Sequence, residues 1–434
     1  MSQAISTPRL DDIDVTSLDF WRAPMEWRDA AFAVLREQQP FAFFDEPAAP
    51  LAQSGQSLPA PRGYYAVTRY EDICEISKNP RTFCSGRGST AVTDMTPEFA
   101  EFFGSMIVMD DPRHARLRGI VARRFTPRAL QELLDSVEAV TDEILDAVAG
   151  RDEVDFVDEI SAPLPLLIIC DMMGVPRSCY REVLEHTNVI LSAGDPELMG
   201  EGVEEQHARL GAAAMALVEL VTELAEERRR EPQDDLITAL LHAGEEGEDD
   251  MLTSQELSSF FILLVVAGNE TTRTALTHGI HQLTRNPDQR ELLRADPEGI
   301  APVASEEIVR YASPVTYMRR TATRDVELRG RQFEEGDKFV LFYGSGNRDA
   351  AVFDDPDRFD VRREPNPHIG FGAPGPHYCL GAHLARREMQ VMLRRLFERL
   401  PDIEASGPPE PLDGALPLVS GIKRLPVRLG APRW

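Results

Sequence analysis

The sequence predicts a mainly α-helical protein with small β-sheets. Of its 434 residues, 42% are apolar and 27% are charged, which is enough to fill a large core and excludes a disordered or disulfide-stapled chain. Apolar residues recur with helical spacing between about Thr126 and Arg310, in segments that include Leu130–Val148, Glu205–Arg230 and Glu256–Leu283. Shorter runs rich in β-forming residues follow at Val326–Leu328, Lys338–Tyr343 and Val427–Leu429.

The first part of the chain, before these helices, shows little sequence pattern that indicates secondary structure. Residues 46–62 are rich in Pro, Ala, Gly and Ser, which predicts an exposed loop. Gly63–Thr68 then predicts a strand, and Tyr70–Ser77 predicts a helix that ends before Asn79 and Pro80. Because no repeat or linker divides the rest, we interpret 63–434 as one domain and 1–62 as an N-terminal segment without an assigned role.

Composition limits the kinds of partner and the cellular location that the sequence predicts. The net charge of −27 repels phosphate backbones and anionic lipid headgroups, which disfavours nucleic acid as a partner. The longest strongly apolar run, Phe260–Ala267, is too short to cross a bilayer. Five scattered cysteines without a C-x-x-C pair suit a reduced cytosol. The sequence therefore predicts a soluble cytoplasmic protein without a membrane span.

One cysteine lies between a loop rich in glycine and proline and the start of a helix. Residues 371–381 read Phe-Gly-Ala-Pro-Gly-Pro-His-Tyr-Cys-Leu-Gly and run directly into the helical pattern Ala382–Arg399. Backbone N–H groups and the positive end of the helix dipole favour the thiolate of Cys379. An isolated cysteine is more often a small buried apolar side chain. The glycines and prolines, however, specify a backbone shape that packing alone does not require.

A second segment places a polar turn inside the helical pattern Glu256–Leu283. Ala267 and Thr271 are four residues apart and share a face, where a threonine hydroxyl can donate to the carbonyl four residues earlier. Gly268 adds no side chain there, so a flat ligand can approach the helix. The simpler alternative is a helix that merely carries a polar turn.

A third segment contains a carboxylate and a guanidinium at helical spacing. Glu307 and Arg310 lie at i and i+3 and can pair on one face. By itself this pattern is most simply a surface ion pair worth less than about 1 kcal/mol.

These segments, in this order, resemble the cytochrome P450 family, and the resemblance covers about residues 63 to 429. It implies a single large domain with the cytochrome P450 fold, of the soluble bacterial type, that holds haem b. It assigns the axial thiolate ligand of the haem iron to Cys379. It places the family's proton-relaying acid and alcohol at Glu270 and Thr271. Glu307 and Arg310 resemble the family's structural Glu-x-x-Arg pair, completed by the segment 357–359.

The ligand loop departs from the commonest family pattern at one point. Ala373 and Pro374 take the place of a single residue between the Phe-Gly pair and the residues before the cysteine. The resemblance therefore does not fix the position of Phe371 beneath the ligand.

Haem propionates are anionic and need cationic or hydrogen-bonding partners. The positions that match the family are His114, Arg118, Arg320 and His377. Arginine suits this role because its planar fork binds carboxylates through two hydrogen bonds. Arg319 competes with Arg320, and we favour Arg320.

The resemblance implies a monooxygenase that inserts one oxygen atom from O₂ into an apolar substrate. No Gly-x-Gly-x-x-Gly loop opens a βα unit and no cysteine run suits an iron–sulfur cluster, so we expect electrons from a ferredoxin and its reductase. A basic patch that could attract an acidic ferredoxin comprises Arg123, Arg124, Arg128, Arg386 and Arg387.

Three other functions compete with this prediction. A peroxide-driven peroxygenase of the same fold would not need Glu270 and Thr271. A non-catalytic haem-binding sensor or carrier would bind haem without oxidising a substrate. A cysteine hydrolase using Cys379 and His377 would need a third orienting group, and the sequence shows no candidate for one.

The predicted substrate pocket is apolar, which suits a lipid-like substrate. Its residues, taken by matched position, are Leu263, Val266, Ala267, Val315, Met318 and Val419. Segments 267–273, 311–320 and 365–372 resemble the actinobacterial subgroup that hydroxylates methyl-branched lipids and sterol side chains. We therefore expect hydroxylation of an aliphatic lipid, a steroid or a terpenoid.

Overall fold

The computed structural model describes residues 8–46, 62–122, 125, 134–192, 195–200, 202–242, 252–412 and 417–431. Helices dominate these ranges, as the sequence predicts. The helices are α1 (Leu18–Arg22), α2 (Met25–Gln38), α3 (Tyr70–Lys78), α4 (Pro97–Gly104), α5 (Arg113–Ala122), α6 (Leu134–Ala147), α7 (Pro163–Met173), α8 (Tyr180–Leu191), α9 (Pro196–Met199), α10 (Val203–Arg230), α11 (Leu236–Leu241), α12 (Ser254–Arg285), α13 (Pro287–Ala295), α14 (Pro297–Ala312), α15 (Tyr343–Gly346) and α16 (Ala382–Arg399).

The strands form small sheets, which confirms the second half of the predicted fold class. They are β1 (Ala42–Phe44), β2 (Tyr64–Val67), β3 (Phe83–Cys84), β4 (Glu153–Asp155), β5 (Tyr317–Ala322), β6 (Val326–Leu328), β7 (Arg331–Phe333), β8 (Lys338–Phe342), β9 (Glu404–Ala405), β10 (Glu410–Pro411), β11 (Ile422–Arg424) and β12 (Pro426–Arg428). The largest sheet has the order β1-β2-β8-β5-β3, with β2 and β8 parallel and the other neighbours antiparallel. The others pair β4-β12-β9, β10-β11 and β6-β7.

Helix α12 runs through the core and carries the predicted polar turn. It begins at a capping box, in which Thr253 Oγ1 accepts from the Glu256 N–H at 3.1 Å and the Glu256 carboxylate accepts from the Thr253 N–H at 2.8 Å. Most of its side chains are buried, because α4, α7, α10 and α14 pack around it. Because neighbouring helices cover α12 in this way, its 32 residues show only a weak amphipathic pattern.

The N-terminal segment packs against the main sheet. Ala42 in β1 pairs with Ala66 in β2, and Phe32 of α2 packs against Phe342 of β8, with the two ring centroids 5.1 Å apart. Lys338 in β8 forms an ion pair with Glu46. The start of the chain therefore contributes one edge of the sheet, a role that its weak pattern did not reveal.

Local predictions agree closely with the structure where the residues are described. Helix α3 ends at Lys78, directly before Asn79, and α16 has the predicted bounds. Helix α6 begins at Leu134, and residues 130–133 of the predicted helix lie outside the described ranges. Within those ranges, no helix is both long enough and apolar enough to cross a membrane.

Candidate active site

A large cavity lies between helix α12, helix α16 and the loop that precedes α16. Its volume is about 230 Å³, and apolar side chains supply most of its wall. Four of the predicted pocket residues line it, namely Leu263, Ala267, Val315 and Met318. Val266 and Val419 do not. Val266 packs against a helical core cluster, and Val419 pairs with Val315 in an isolated β-bridge.

The loop before α16 presents Cys379 to this cavity. The Cys379 N–H donates to the Phe371 carbonyl at 2.9 Å, which closes the loop. Gly372 has a φ of +90°, a conformation that favours glycine, and a side chain at Gly375 would lie 2.4 Å from the Ser77 carbonyl oxygen. The glycines are therefore required by backbone shape and close approach, and the Cys379 side chain is exposed into the cavity.

The extra residue of the loop leaves Phe371 beside the cysteine. Phe371 and Cys379 line the same cavity, and the Arg386 guanidinium lies 4.3 Å from the centre of the Phe371 ring. Burial raises the pKa of the Cys379 thiol, while the Gly381 backbone N–H and the charges of Arg118 and Arg386 act in the opposite direction. A bound metal ion would favour the thiolate further.

Cationic and imidazole groups gather on the same side of the cavity. The rings of His114 and His377 lie 4.3 Å apart, and His377 Nε2 is 3.1 Å from Ser85 Oγ. Arg118 donates to the Tyr378 carbonyl at 2.6 Å. His114 Nε2 is buried without a hydrogen-bond partner among the described residues. This set suits a ligand that carries carboxylates, and together with the Cys379 thiol it fits haem.

The structure also distinguishes Arg319 from Arg320 as candidate partners of a propionate. Arg319 has no exposed surface and donates to the carbonyls of Val92 and Arg87 and to Asp94 Oδ1, at 2.6–2.9 Å. Its guanidinium therefore has a structural role. Arg320 donates to the Arg319 carbonyl at 2.8 Å. It does not line the cavity directly, but its charge acts on His377, whose pKa falls to about 2 because of burial first and then Arg320, His114 and Arg118.

The polar turn of α12 opens onto the cavity. Thr271 Oγ1 donates to the Ala267 carbonyl at 2.9 Å, and both residues line the wall together with Gly268. A side chain at Gly268 would collide with Ile169 Cδ1 at 2.4 Å, so the absence of a side chain permits close packing of α7 against this turn.

Glu270 points away from the cavity wall. It has no exposed surface, forms an ion pair with Arg273 and accepts from Thr274 Oγ1 at 3.1 Å. Arg273 in turn donates to Asn188 Oδ1 at 3.0 Å. Burial raises the pKa of Glu270, and Arg273 and Thr274 oppose that shift. The acid and the alcohol of the predicted pair are thus adjacent in sequence but face different environments.

A second buried carboxyl group, which sequence analysis missed, does line the cavity. Glu388 on α16 is 2% exposed, and its Oε1 has no hydrogen-bond partner among the described residues. Burial raises its pKa to about 8, and a hydrogen bond with Thr272 opposes the shift. The sequence did contain a signal, because Leu384, Glu388 and Met392 follow one another at four-residue spacing on the buried face.

Two of the five arginines proposed for partner docking are already paired. Arg386 donates to Glu306 at 2.6 Å, and Arg387 lies 3.4 Å from Glu138. Arg123, Arg124 and Arg128 lie outside the described residues.

Comparisons with known proteins cover most of the chain. The sequence model of the family described as "Cytochrome P450" matches residues 57–300 and 303–416. The chain is 46% identical over 421 residues to a methyl-branched lipid omega-hydroxylase of Mycobacterium tuberculosis strain H37Rv, covering 96% of this chain and 94% of that protein. It is 36% identical over 420 residues to a steroid C26-monooxygenase of Mycolicibacterium smegmatis, covering 95% and 92%. The solved structure of a Mycobacterium marinum cytochrome P450 in complex with pseudoionone superposes with a TM-score of 0.89 at 37% identity, covering 98% and 100%.

Proposed function

Since this chain belongs to the cytochrome P450 family and is a monooxygenase, we propose that it hydroxylates an aliphatic lipid, a steroid or a terpenoid. The observation that carries the proposal is the apolar wall that faces Cys379 and Thr271 across one cavity. An apolar wall stabilises a bound apolar substrate by about 25 cal/mol for each Å² removed from water. The substrates in the names of the relatives, a methyl-branched lipid and a steroid, support the same class.

We propose that Cys379 holds the iron of haem b and that His114, Arg118, Arg320 and His377 hold its propionates. Haem supplies the oxidation chemistry when bound, and its thiolate ligand donates electron density that favours O–O cleavage. The protein orients the substrate against the polar turn of α12 and excludes water. The unpartnered His114 Nε2 and the position of Arg118 support this assignment, because both gain partners when carboxylates enter the site.

We also keep Glu270 and Thr271 as the proposed acid and alcohol of the proton relay. Thr271 holds a hydroxyl proton at the cavity wall, bonded to the Ala267 carbonyl. Glu270 is ion-paired with Arg273 on the far side of the same helical turn. Proton exchange between them therefore requires the Glu270–Arg273 pair to open.

The first test is the absorption spectrum of the reduced protein under carbon monoxide. Wild-type protein is expected to show the strongly red-shifted Soret band of a thiolate ligand, and Cys379→Ser is expected to lose it. Cys179→Ser is the matched control, because Cys179 is partly exposed and does not line the cavity. A red-shifted band that survives in Cys379→Ser would contradict the ligand assignment.

The substrate class is tested by optical titration of the haem with a panel of ligands. Methyl-branched fatty acids, sterols and terpenoids are expected to shift the Soret band, and Leu263→Asp is expected to weaken that binding because it places a carboxylate on an apolar wall. Shifts produced only by small polar compounds would contradict the proposal.

We propose that a ferredoxin and its reductase supply the electrons, and that the protein works in the cytoplasm. Arg387→Gln is expected to slow reduction by an acidic ferredoxin and to reduce the dependence of the rate on salt, because one attractive charge is removed. Arg177→Gln is the matched control, since Arg177 is an arginine paired with Glu143 that does not belong to the patch. An unchanged rate and salt dependence in Arg387→Gln would remove Arg387 from the docking patch.

A further inference from the structure

Arg386 on α16 lies against both ends of the loop that presents Cys379. Its guanidinium lies 4.3 Å from the centre of the Phe371 ring, at the start of the loop. Its two terminal nitrogens each lie 3.5 Å from the hydroxyl of Tyr378, the residue before Cys379. The Cys379 N–H in turn donates to the Phe371 carbonyl at 2.9 Å. One cation therefore covers an aromatic ring whose own backbone is bonded to the cysteine.

Glu306 on α14 holds this guanidinium in place. Arg386 Nε donates to Glu306 Oε1 at 2.6 Å and Nη2 donates to Oε2 at 3.0 Å, so two parallel bonds fix the orientation of the guanidinium plane. The two side chains are only 25% and 27% exposed, which limits competition from water. Burial alone would raise the pKa of Glu306, but hydrogen bonds from His368 and Arg386 lower it to about 2. The pair is therefore fully charged at neutral pH.

His368 joins the same carboxylate to the start of the loop. It lies three residues before Phe371, and its side chain is 2% exposed. Its Nδ1 accepts from the Gly370 N–H at 3.2 Å, so Nε2 carries the proton and donates to Glu306 Oε2 at 2.9 Å. Glu306 thus binds both the segment that leads to Phe371 and the cation that covers its ring. These contacts hold Phe371 beside Cys379 in a loop with one residue more than the commonest family pattern.

The cation of this pair is the charge nearer to the cysteine. Arg386 contacts the loop directly, whereas Glu306 reaches it through Arg386. Burial raises the pKa of the Cys379 thiol, and the charged side chains of the described chain that oppose this shift are Arg118 and Arg386. One-electron reduction adds a negative charge to a thiolate-bound iron. A fixed cation near the sulfur therefore stabilises the reduced state more than the oxidised state.

We propose that Arg386, held by Glu306, is a positioning residue that raises the reduction potential of the bound haem by fixing Phe371 and a positive charge beside the Cys379 sulfur. This inference rests on the proposed assignment of Cys379 as the haem ligand. It gives Arg386 a role that differs from partner docking, because the effect requires no contact with a ferredoxin. The potential can therefore be measured on the haem-loaded protein alone.

Spectroelectrochemical titration with small-molecule mediators tests this proposal. Arg386→Met is expected to lower the equilibrium constant of reduction about tenfold, or about 59 mV for a one-electron couple, because it removes the fixed charge. Arg386→Lys keeps the charge but not the planar fork, so its potential is expected to lie nearer to wild type. Arg394→Met is the matched control and is expected to keep the wild-type potential. Arg394 lies on the same helix, is 21% exposed and pairs with Glu138 at 2.7 Å.

The double variant Glu306→Gln, Arg386→Met keeps the test decisive if the single variant folds poorly, because it leaves no carboxylate without its partner. Its potential is also expected to lie below wild type, since the nearer charge is lost. The reduced carbon monoxide spectrum is recorded for every protein. A wild-type protein without the red-shifted Soret band would overturn both the ligand assignment and this inference.

Other outcomes overturn this inference and leave the ligand assignment intact. With the red-shifted band present, a wild-type potential in Arg386→Met or in the double variant would exclude the proposed role. A shift in Arg394→Met as large as that in Arg386→Met would show a general effect of surface charge. A potential in Arg386→Lys as low as that in Arg386→Met would show that the positive charge is not the cause.

Discussion

Arg310 and Glu307 form an ion pair that is completely buried. Arg310 Nε donates to Glu307 Oε2 at 2.7 Å, Nη2 donates to Oε1 at 2.8 Å, and neither side chain has exposed surface. The remaining N–H groups of Arg310 donate to the carbonyls of Asn347, Pro356 and Arg358. The surface ion pair that the spacing also allowed is therefore excluded, and the pair joins α14 to the segment before the cysteine loop.

Removing one partner of this pair should destabilise the protein strongly. Arg310→Met leaves the Glu307 carboxylate buried without its main partner, and the expected loss in the free energy of unfolding is about 3–5 kcal/mol. Chemical denaturation of the haem-loaded protein measures this loss. Arg294→Met is the control, because the Arg294–Glu291 pair is exposed and its loss should cost less than about 1 kcal/mol. Equal losses in the two variants would contradict the structural role.

Substitution of Arg319 should lower stability, whereas substitution of Arg320 should lower haem retention. Arg319→Met removes a buried charged donor that bonds the carbonyls of Val92 and Arg87 and the Asp94 carboxylate, and since a hydrogen bond from a charged group contributes about 1.5–3 kcal/mol, the variant should lower thermal stability. Arg320→Met should instead weaken haem retention, because it removes a charge next to His377. Transfer of haem to an acceptor protein measures the retention. If Arg319→Met released haem faster than Arg320→Met at equal stability, the assignment to Arg320 would be wrong.

Sequence patterns predicted the fold and the ligand loop because both depend on short-range constraints. The positive φ of Gly372 and the close approach at Gly375 are encoded by the residue type at those positions. Helix α16 follows from its own periodicity. The family resemblance then placed Cys379, His114 and Thr271, and the structure brings all three to one cavity.

Features that depend on distant segments were not predictable in the same way. Glu388 is buried because α16 packs beside Thr272 of α12. The residues near Glu388 in the sequence do not indicate this contact. A small pocket beside α2 likewise brings Arg28 next to Thr316, although the two lie far apart in the chain. Val266 was placed in the pocket by matched position, but the rotation of α12 turns it toward the helical core.

Thr271→Ala should separate a monooxygenase from a peroxygenase. Removal of a group that takes part in proton transfer typically costs about 10²–10⁴-fold, so O₂-driven product formation should fall while electron consumption continues and peroxide accumulates. Thr271→Ser retains the hydroxyl and should keep most of the coupling between electrons and product. Turnover with hydrogen peroxide should change little in Thr271→Ala. If wild-type protein turned over with hydrogen peroxide alone as fast as with O₂ and redox partners, the peroxygenase would be favoured instead.

Glu388 should make stability depend on pH above the ordinary range of carboxyl groups. Its pKa is raised to about 8 in the folded protein, whereas the unfolded value is about 4.5. The folded state therefore binds more protons between these values, so this group lowers the free energy of unfolding as pH rises from about 4.5 to 8.

Substitution of Glu388 by glutamine removes this titration while keeping the shape of the side chain. Glu388→Gln should therefore be more stable than wild type at pH 9, by an amount on the order of 3–5 kcal/mol, and nearly as stable at pH 5. Denaturation of both proteins at a series of pH values measures the difference. Glu398→Gln on the same helix is the control, since that carboxylate is more than one-third exposed. Parallel pH profiles for Glu388→Gln and wild type would show that the carboxyl group is already charged at neutral pH, with a partner that offsets its burial.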